Sequence, residues 1–307
     1  MTESIENILK EGYRTWRKNL ILGVPFLLSS IVTLLVIFAT LLLSILMSIP
    51  FFSQMMGNMQ EGMPNMLLAF LLLVLLFTIT IFLITLINAF FSAGAIGMAQ
   101  KAIKTGKTTL SEMIYYGKKK FLSLFFAYII IFLITILGFL FFIPAVIAFL
   151  LKVINVGISL LVFGFATWML YHLALNIILI LVSYAIVVGD LGAIEGIKEG
   201  YRLVMKNKLS VVFLFFVTQA LLWGCGLVIS VITSLMNVIP LLGIFINLGI
   251  WVLYIIFIVV VITPLFMVWW TRLYMDRTGM KPKEIPTELP TTTVQAPEIP
   301  TPEPIYV

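Results

Sequence analysis

Residues 10–49 read KEGYRTWRKNLILGVPFLLSSIVTLLVIFATLLLSILMSI, a short basic segment followed by thirty residues without a charge. About 20 helical residues are enough to cross the ~30 Å hydrocarbon core of a membrane. A helix is the expected form, because backbone groups surrounded by lipid must pair within the chain. The apolar run is far longer than the core of a secretory signal, which has about 7–15 residues, so we interpret it as a retained membrane helix.

The rest of the 307-residue chain repeats this pattern. It is 62% hydrophobic and 10% charged, whereas soluble domains carry about 25% charged residues. We predict an all-α polytopic membrane helical bundle with about six crossings. Their approximate ranges are 20–49, 66–91, 121–142, 157–188, 209–236 and 241–270. Residues 143–155 contain Pro144 and Lys152. They fit either a re-entrant or interfacial stretch that leads into a long fourth helix, or part of an additional hairpin that would give eight crossings.

The positive charges predict an orientation. Eighteen of the 19 Lys and Arg residues fall into four clusters, at residues 10–18, 101–120, 198–208 and 272–283. With six crossings, all four clusters lie on one side, and Lys152 lies on the other. Basic loops stay in the cytoplasm, so we expect a cell-membrane protein with both termini cytoplasmic. Trp269, Trp270 and Tyr274 fall where an aromatic belt is expected at that interface.

The pentapeptide KEGYR occurs at residues 10–14 and again at 198–202, and Lys-Asn follows both copies at the same spacing. Apolar residues recur every three or four positions with basic residues opposite, which predicts an amphipathic helix in the headgroup layer. A weaker third copy at residues 112–120 precedes the third crossing. The pattern predicts three repeated hairpins, each preceded by a basic amphipathic interfacial helix, with repeat units of about 5–100, 106–190 and 192–275.

Basic side chains of these segments are candidate contacts for anionic lipid headgroups, worth about 1 kcal/mol each at an anionic surface. They are Lys10, Arg14, Arg17, Lys18, Lys118, Lys119, Lys120, Lys198, Arg202, Lys206 and Lys208. Asn19 and Asn207 are expected to bond backbone groups where the chain turns from lying flat to crossing. The expected partners are membrane lipids and no nucleic acid, with a protein partner or a homo-oligomer left open.

The sequence of Gly-aromatic-Arg, then Lys-Asn, then a long apolar run resembles a large group of poorly characterised archaeal and bacterial multi-pass membrane proteins. That group is similar to the membrane domain joined to some glycerophosphoryl diester phosphodiesterases. Pro144 and the small-residue segment from Gly192 into a basic helix fit the same pattern, over roughly residues 5–275. The resemblance implies six helices and no established activity. The carboxylate and His cluster of the phosphodiesterase half is not expected here.

The fourth crossing carries a polar stripe of His172, Asn176 and Ser183, at spacings of 4 and 7 on one helical face. Polar side chains inside a span either mark a functional path or join helices by hydrogen bonds, and both interpretations stay open. Thioethers near the first outward loop suit Cu(I) but also pack as apolar groups. They belong to Met47, Met55, Met56, Met59, Met63 and Met66. No His or Cys reinforces them, and we expect no cofactor and no metal site.

No pair of acids lies deep in a span, as general acid–base catalysis there would require, so we expect no enzymatic activity. The leading hypothesis is an integral membrane protein that interacts with lipid, organises the membrane or assists a partner. The alternative is a transporter or channel for a small or amphipathic solute, with a polar cavity centred on His172 and Asn176. Residues 1–19 would form the first amphipathic helix, 20–275 the membrane domain and 276–307 a disordered Pro-rich cytoplasmic tail.

Overall fold

The fold is a bundle of membrane-length helices. The computed structural model describes residues 3–57, 62–236 and 242–280, and these residues form helices and turns but no strand. Six stretches are long and apolar enough to cross a membrane, as the hydropathy pattern predicts. They are Leu20–Ile49, Phe70–Thr105, Leu110–Leu150, Ile154–Val187, Lys208–Met236 and Gly243–Arg277.

Eleven α-helices build these stretches within the described residues. In chain order they are α1 (Ile5–Lys18), α2 (Val24–Gly57), α3 (Gly62–Thr105), α4 (Leu110–Ile136), α5 (Ile143–Leu150), α6 (Ile154–Leu179), α7 (Val182–Val187), α8 (Ala193–Lys206), α9 (Lys208–Met236), α10 (Leu242–Phe257) and α11 (Thr263–Arg277). Short 3₁₀ segments join α1 to α2 and α4 to α5, and a π-helical turn at Ile258–Ile262 joins α10 to α11.

The chain reverses once between the third and fourth crossings, at Lys152. The 3₁₀ segment Leu137–Phe142 carries α4 into α5, and Pro144 lies in the first turn of α5, where its missing N–H is not needed. The backbone at Lys152 has a φ of 61°, and α6 begins two residues later. Neither the re-entrant stretch nor the additional hairpin forms, because the apolar run before Lys152 stays helical and lengthens the third crossing.

The two KEGYR copies form separate helices, α1 and α8, and each ends at an Asn. Asn19 has φ −133° and ψ 60°, and Asn207 has φ −125° and ψ 38°, so the backbone leaves the helical region at both positions. The Asn19 side-chain amide donates to the carbonyls of Thr15 at 2.9 Å and Gly106 at 3.1 Å. The Asn207 amide donates to the Leu203 carbonyl at 3.0 Å. The prediction that these two side chains bond backbone groups is confirmed.

The third copy does not form a helix of its own. Helix α4 runs unbroken from Leu110 through residues 112–120 into the third crossing. Lys120 occupies the position that Asn19 and Asn207 occupy in the other copies. Lys is a good helix former and lacks the short amide that competes with the helix, so nothing ends α4 there. The prediction of a separate interfacial helix is therefore wrong for the middle hairpin.

The tightly packed core lies in the half of the bundle that carries the basic clusters, which we call the basic end. Small residues of α3 allow α4 to approach closely: a Cβ on Gly94 would lie 2.7 Å from the Met113 carbonyl oxygen. Among the helix pairs, α3 with α4 has the most extensive contact. Away from the basic end, side chains such as Leu46 and Phe163 are exposed, as expected for surface that hydrocarbon covers.

The aromatic residues near the end of the sixth crossing are buried in protein. Trp269, Trp270 and Tyr274 are only 6%, 4% and 2% exposed. Helix α1 lies across α11, and the Trp269 indole donates to the Leu9 carbonyl at 3.0 Å. The predicted aromatic belt is therefore wrong at these positions, because neighbouring parts of the protein bury them: α1 packs on Trp269, and the segment at Gly189 packs on Tyr274.

Candidate functional site at the basic end

The four basic clusters meet at one end of the bundle through a closed series of contacts. Each contact joins residues that are far apart in sequence. The contacts are Asn19 with Gly106, Lys120 with Leu191, Arg277 with Ser210, and Arg272 with Glu3 at the N-terminus. The prediction that all four clusters lie on one side of the bundle is thus confirmed for their described residues, which leave out Lys281 and Lys283. Lys152 lies at the opposite turn between α5 and α6.

A buried ion-pair network fastens the N-terminus to the end of the sixth crossing. The Arg272 guanidinium, 2% exposed, donates through Nε and Nη2 to the two Glu3 carboxylate oxygens, both at 2.8 Å. The Glu3 N–H donates to Asp276 Oδ1 at 3.0 Å, and Asp276 accepts from Arg277 at 2.6 Å. Sequence reasoning missed this network, because its partners lie about 270 positions apart and no local spacing links them.

Asp190 lies between two lysines at the exit of the fourth crossing. The Nζ atoms of Lys119 and Lys120 are each 2.9 Å from Asp190 Oδ1. Hydrogen bonds from Lys120 and then Lys119 hold the pKa of Asp190 below its usual range. Lys120 is 7% exposed and also donates to the Leu191 carbonyl at 3.0 Å. Lys120 is therefore a structural cation and not the headgroup contact that the sequence pattern predicted.

Exposed basic side chains surround these networks. Half-buried Arg14 and exposed Arg202 each pair at 2.6 Å with the Glu that lies three residues earlier. Lys119 is also exposed, but Asp190 pairs with it. Within the described residues, the remaining seven headgroup candidates are exposed and have no carboxylate within 4.0 Å. They are Lys10, Arg17, Lys18, Lys118, Lys198, Lys206 and Lys208. The basic end therefore carries positive charge that the described protein groups do not neutralise.

The polar stripe of the fourth crossing does not share one continuous helical face. The helix breaks at residues 180–181, which separates His172 and Asn176 on α6 from Ser183 on α7. His172 stacks on Trp168, with ring centroids 5.5 Å apart and planes inclined by 7°. Asn176 is exposed and donates to the His172 carbonyl of its own helix at 2.7 Å. Only Ser183 of the three reaches across to another crossing, where its Oγ lies 3.5 Å from the Tyr128 hydroxyl.

Ser183 lines a partly open cleft of about 240 Å³ in the basic-end half of the bundle. Five of the six crossings contribute residues to this central cleft. A second, apolar groove of about 580 Å³ lies between α9 and α10. His172 and Asn176 line neither, so neither is the cavity that the transport alternative predicts.

The described residues contain no group of three or more His, Cys, Asp or Glu side chains that could hold a metal ion. Met59 and the tail from residue 281 onward lie outside the described residues. The side chains of Met55, Met56, Met63 and Met66 also lie outside the described part of the structure. The Met-rich outer loop and the Pro-rich tail therefore remain predictions from sequence.

Comparison with known proteins gives a family but no activity. An uncharacterised protein of Archaeoglobus fulgidus is 26% identical over 248 residues, which cover 70% of this chain and 78% of that protein. No solved structure matches. These comparisons do not show the predicted similarity to the membrane domain of the phosphodiesterases. Residues 4–277 match the domain of unknown function DUF7847, so a chain with six apolar, membrane-length helices belongs to the DUF7847 family.

Proposed function

We propose that this protein is a non-enzymatic, multi-pass protein of the cell membrane whose basic end lies in the cytoplasm and binds anionic lipid headgroups. The observation that carries the proposal is the set of seven exposed cations without a carboxylate partner among the described residues, at the end where four clusters meet. Basic loops stay in the cytoplasm, and each Lys or Arg gains about 1 kcal/mol near an anionic leaflet. Such binding would organise the surrounding lipid or present it to a partner.

A repeated arrangement of the basic segments supports the proposal. Gly12 in the first copy aligns with Met113 and Gly200 in the other two. Each copy leads into one crossing, and in the second and third copies in chain order this position packs on the crossing just before that one. The first copy has no earlier crossing, and its position packs on the sixth. The pairs are Gly12 with Trp269, Met113 with Gly94, and Gly200 with Val182. We interpret the three pairs as three repeats in a ring, which would present basic side chains around the whole bundle.

The test compares how two lipids associate with the full-length protein in phosphatidylcholine vesicles. Spin-labelled phosphatidylglycerol and spin-labelled phosphatidylcholine are added in turn, and electron paramagnetic resonance measures the fraction of each that the protein immobilises. We expect a preference for phosphatidylglycerol that falls as salt is added, because salt screens exposed charges.

The triple variant Lys198→Gln, Lys206→Gln and Lys208→Gln should weaken this preference. Lys152→Gln is the matched control, because it removes a cation from the opposite end of the bundle. Equal immobilisation of both lipids at low salt, or an equal effect of the triple variant and the control, would contradict the proposal.

A further inference from the structure

The central cleft differs in chemistry from the basic end above it. None of its eleven lining residues is Asp, Glu, Lys, Arg or His. Four residues that carry hydroxyl groups, Ser92, Tyr128, Ser183 and Tyr184, line it together with Trp270. A charged group in this cleft would lose its hydration without gaining a counter-charge, which costs much more than burying a neutral polar group. The lining therefore fits a neutral ligand with both hydrogen-bonding and apolar parts.

Several cleft hydroxyls have unused hydrogen-bonding capacity. Elsewhere in the bundle, hydroxyls bond to their own helix, as Thr135 does to the Ile131 carbonyl at 2.8 Å. The 3.5 Å between Ser183 and Tyr128 exceeds the roughly 2.5–3.0 Å of a good O–H···O bond. Among the described residues, Tyr184 has no hydrogen-bond partner. A ligand oxygen between these side chains would supply the missing bonds.

The backbone around the cleft is irregular on three crossings. The α6–α7 break ends two residues before Ser183, the π-helical turn ends just before Thr263, and a 3₁₀ segment ends three residues before Phe26. Irregular backbone at membrane depth is tolerated where it is buried in protein or lines a cavity, and π-helical turns are frequent at functional sites. Each of the three irregular segments lies within three residues of a residue that lines the cleft.

The depth of the cleft excludes the phosphate layer. Ser183 lies seven residues before Asp190, and Tyr128 lies eight residues after Lys120. Lys120 and Tyr128 both lie in α4, so at about 1.5 Å per helical residue Tyr128 lies about 12 Å along the helix from Lys120. With the Asp190–Lys120 pair at the level of the headgroups, a layer of only about 5–8 Å, the Tyr128 side of the cleft would lie in the outer hydrocarbon region.

We propose that the central cleft binds the polar end of a neutral, hydroxyl-bearing glycerolipid of the diacylglycerol or dialkylglycerol class. The lipid hydroxyl would bond with Ser183 and Tyr184, and its glycerol carbons would pack against Phe266 and Trp270. The hydrocarbon chains would leave through the open side of the cleft into the bilayer. This site is separate from the exposed cations of the basic end, and it does not depend on anionic headgroup binding.

The test uses full-length protein in phosphatidylcholine nanodiscs with a photoactivatable diacylglycerol that carries its diazirine close to the glycerol. Mass spectrometry locates the crosslinked residues. Unlabelled diacylglycerol competes in one sample, and phosphatidic acid with the same chains, which differs only by its phosphate, competes in another. Tyr184→Phe removes one hydroxyl without changing the shape of the cleft, and Ser183→Leu fills it. Tyr254→Phe in the α9–α10 groove and Ser159→Ala on α6 are the matched controls.

We expect crosslinks concentrated at residues 92–96, 180–184 and 263–270, which diacylglycerol suppresses at least about fivefold more strongly than phosphatidic acid does. Tyr184→Phe should weaken binding about two- to tenfold, the effect of one hydrogen bond. Ser183→Leu should abolish crosslinking, and both controls should leave it unchanged. Crosslinks spread evenly over the six crossings, equal competition by the two lipids, or full crosslinking in Tyr184→Phe would overturn the proposal. Tyr184→Phe preserves the packing of the cleft, so its crosslinking decides the proposal independently of whether Ser183→Leu folds.

Discussion

At the residue scale, neighbouring lysines have different roles because of where the helix places them. Lys118, Lys119 and Lys120 look equivalent in sequence, yet Lys118 is exposed, Lys119 is an exposed partner of Asp190, and Lys120 is buried. Consecutive helical residues point about 100° apart, so the three lysines face different directions, and Lys120 is the one that faces the core. A run of basic residues therefore contains both surface charges and structural ones.

We predict that Lys120→Gln destabilises the protein more than Lys119→Gln. The Lys120 ammonium bonds to both Asp190 and the Leu191 carbonyl in a buried setting, and its loss should cost about 1–3 kcal/mol. The Lys119 side chain is 43% exposed, and an exposed ion pair is worth about 0–1 kcal/mol. Thermal unfolding in detergent, followed by helical circular dichroism, compares the two variants. Equal losses would contradict the structural role of Lys120.

The Asp190 interaction also predicts a dependence on pH. Its pKa is lower in the folded protein than the usual value of about 3.9, so the folded state favours the carboxylate. This contribution is present above the usual pKa and is lost as the pH falls through the lowered one. The stability advantage of the native protein over Asp190→Asn should therefore hold at pH 5–7 and shrink below about pH 4. Unfolding midpoints measured across that range test this, and a constant difference down to about pH 3 would speak against it.

At the element scale, the residue at one position decides whether the helix formed by a basic segment ends before the crossing. Asn19 and Asn207 end α1 and α8, whereas Lys120 lets α4 continue into the membrane. Asn side chains bond nearby backbone groups and so compete with the helix, whereas the long Lys120 side chain bonds Asp190 and the Leu191 carbonyl instead. The same motif therefore forms a separate helix twice and the first turns of a crossing once.

Asn19→Ala should cost more stability than Asn207→Ala. The Asn19 side chain is buried and bonds Thr15 and Gly106 through its amide and the Thr108 N–H through its oxygen. Asn207 bonds the Leu203 carbonyl of its own helix. The two additional bonds should make the difference about 1–3 kcal/mol. Thermal unfolding of both variants measures it, and a larger loss for Asn207→Ala would be inconsistent with this account.

The glycine of KEGYR allows its helix to pack closely on a neighbouring segment. Comparing Ala substitutions at this glycine and at a glycine without close neighbours tests that role. A Cβ at Gly200 would lie 2.9 Å from the Val182 Cα and N atoms, and these backbone atoms cannot move aside easily. We expect Gly200→Ala to cost about 1–3 kcal/mol through overpacking. A Cβ at Gly224 in α9 meets no atom within 4 Å, so Gly224→Ala should be neutral or stabilise by up to about 1 kcal/mol. Unfolding midpoints that fall equally in both variants would refute the packing role.

At the scale of the whole molecule, the closed series of contacts holds distant parts of the chain together at the basic end. The bidentate Glu3–Arg272 pair joins the first helix to the last, and Asn19, Lys120 and Ser210 complete the connection. The opposite half of the bundle exposes apolar side chains, so its packing depends on lipid. The protein therefore has a well-packed basic end and a half that the bilayer completes.

This arrangement predicts the membrane topology. In a Cys225→Ser background, Tyr13→Cys and Tyr201→Cys should react with an impermeant maleimide from the same side of the membrane. Lys152→Cys should react from the opposite side, because it lies at the turn between α5 and α6. Labelling of intact spheroplasts and of inverted vesicles gives the assignment. Opposite labelling of positions 13 and 201 would be incompatible with a single basic end.

Hydropathy and charge along the chain predicted the six membrane-length helices and the grouping of the basic clusters on one side. These properties are local, since a long uncharged run defines a crossing without any partner. Two crossings separate successive basic clusters, so the clusters must lie on the same side. The Asn residues that end α1 and α8 were predictable for the same reason, because their bonding partners include the turn just before them.

Only the tertiary structure decided which side chains are buried and which come together. It placed Lys120 inside, covered Trp269 with α1, and separated His172 from Ser183 by a helix break. It also assembled the central cleft from five crossings. These features depend on contacts between residues that lie 71 to 260 positions apart, and on irregular turns inside spans. A uniformly apolar sequence predicts neither these contacts nor these turns, because every face of such a helix is equally compatible with lipid and with protein.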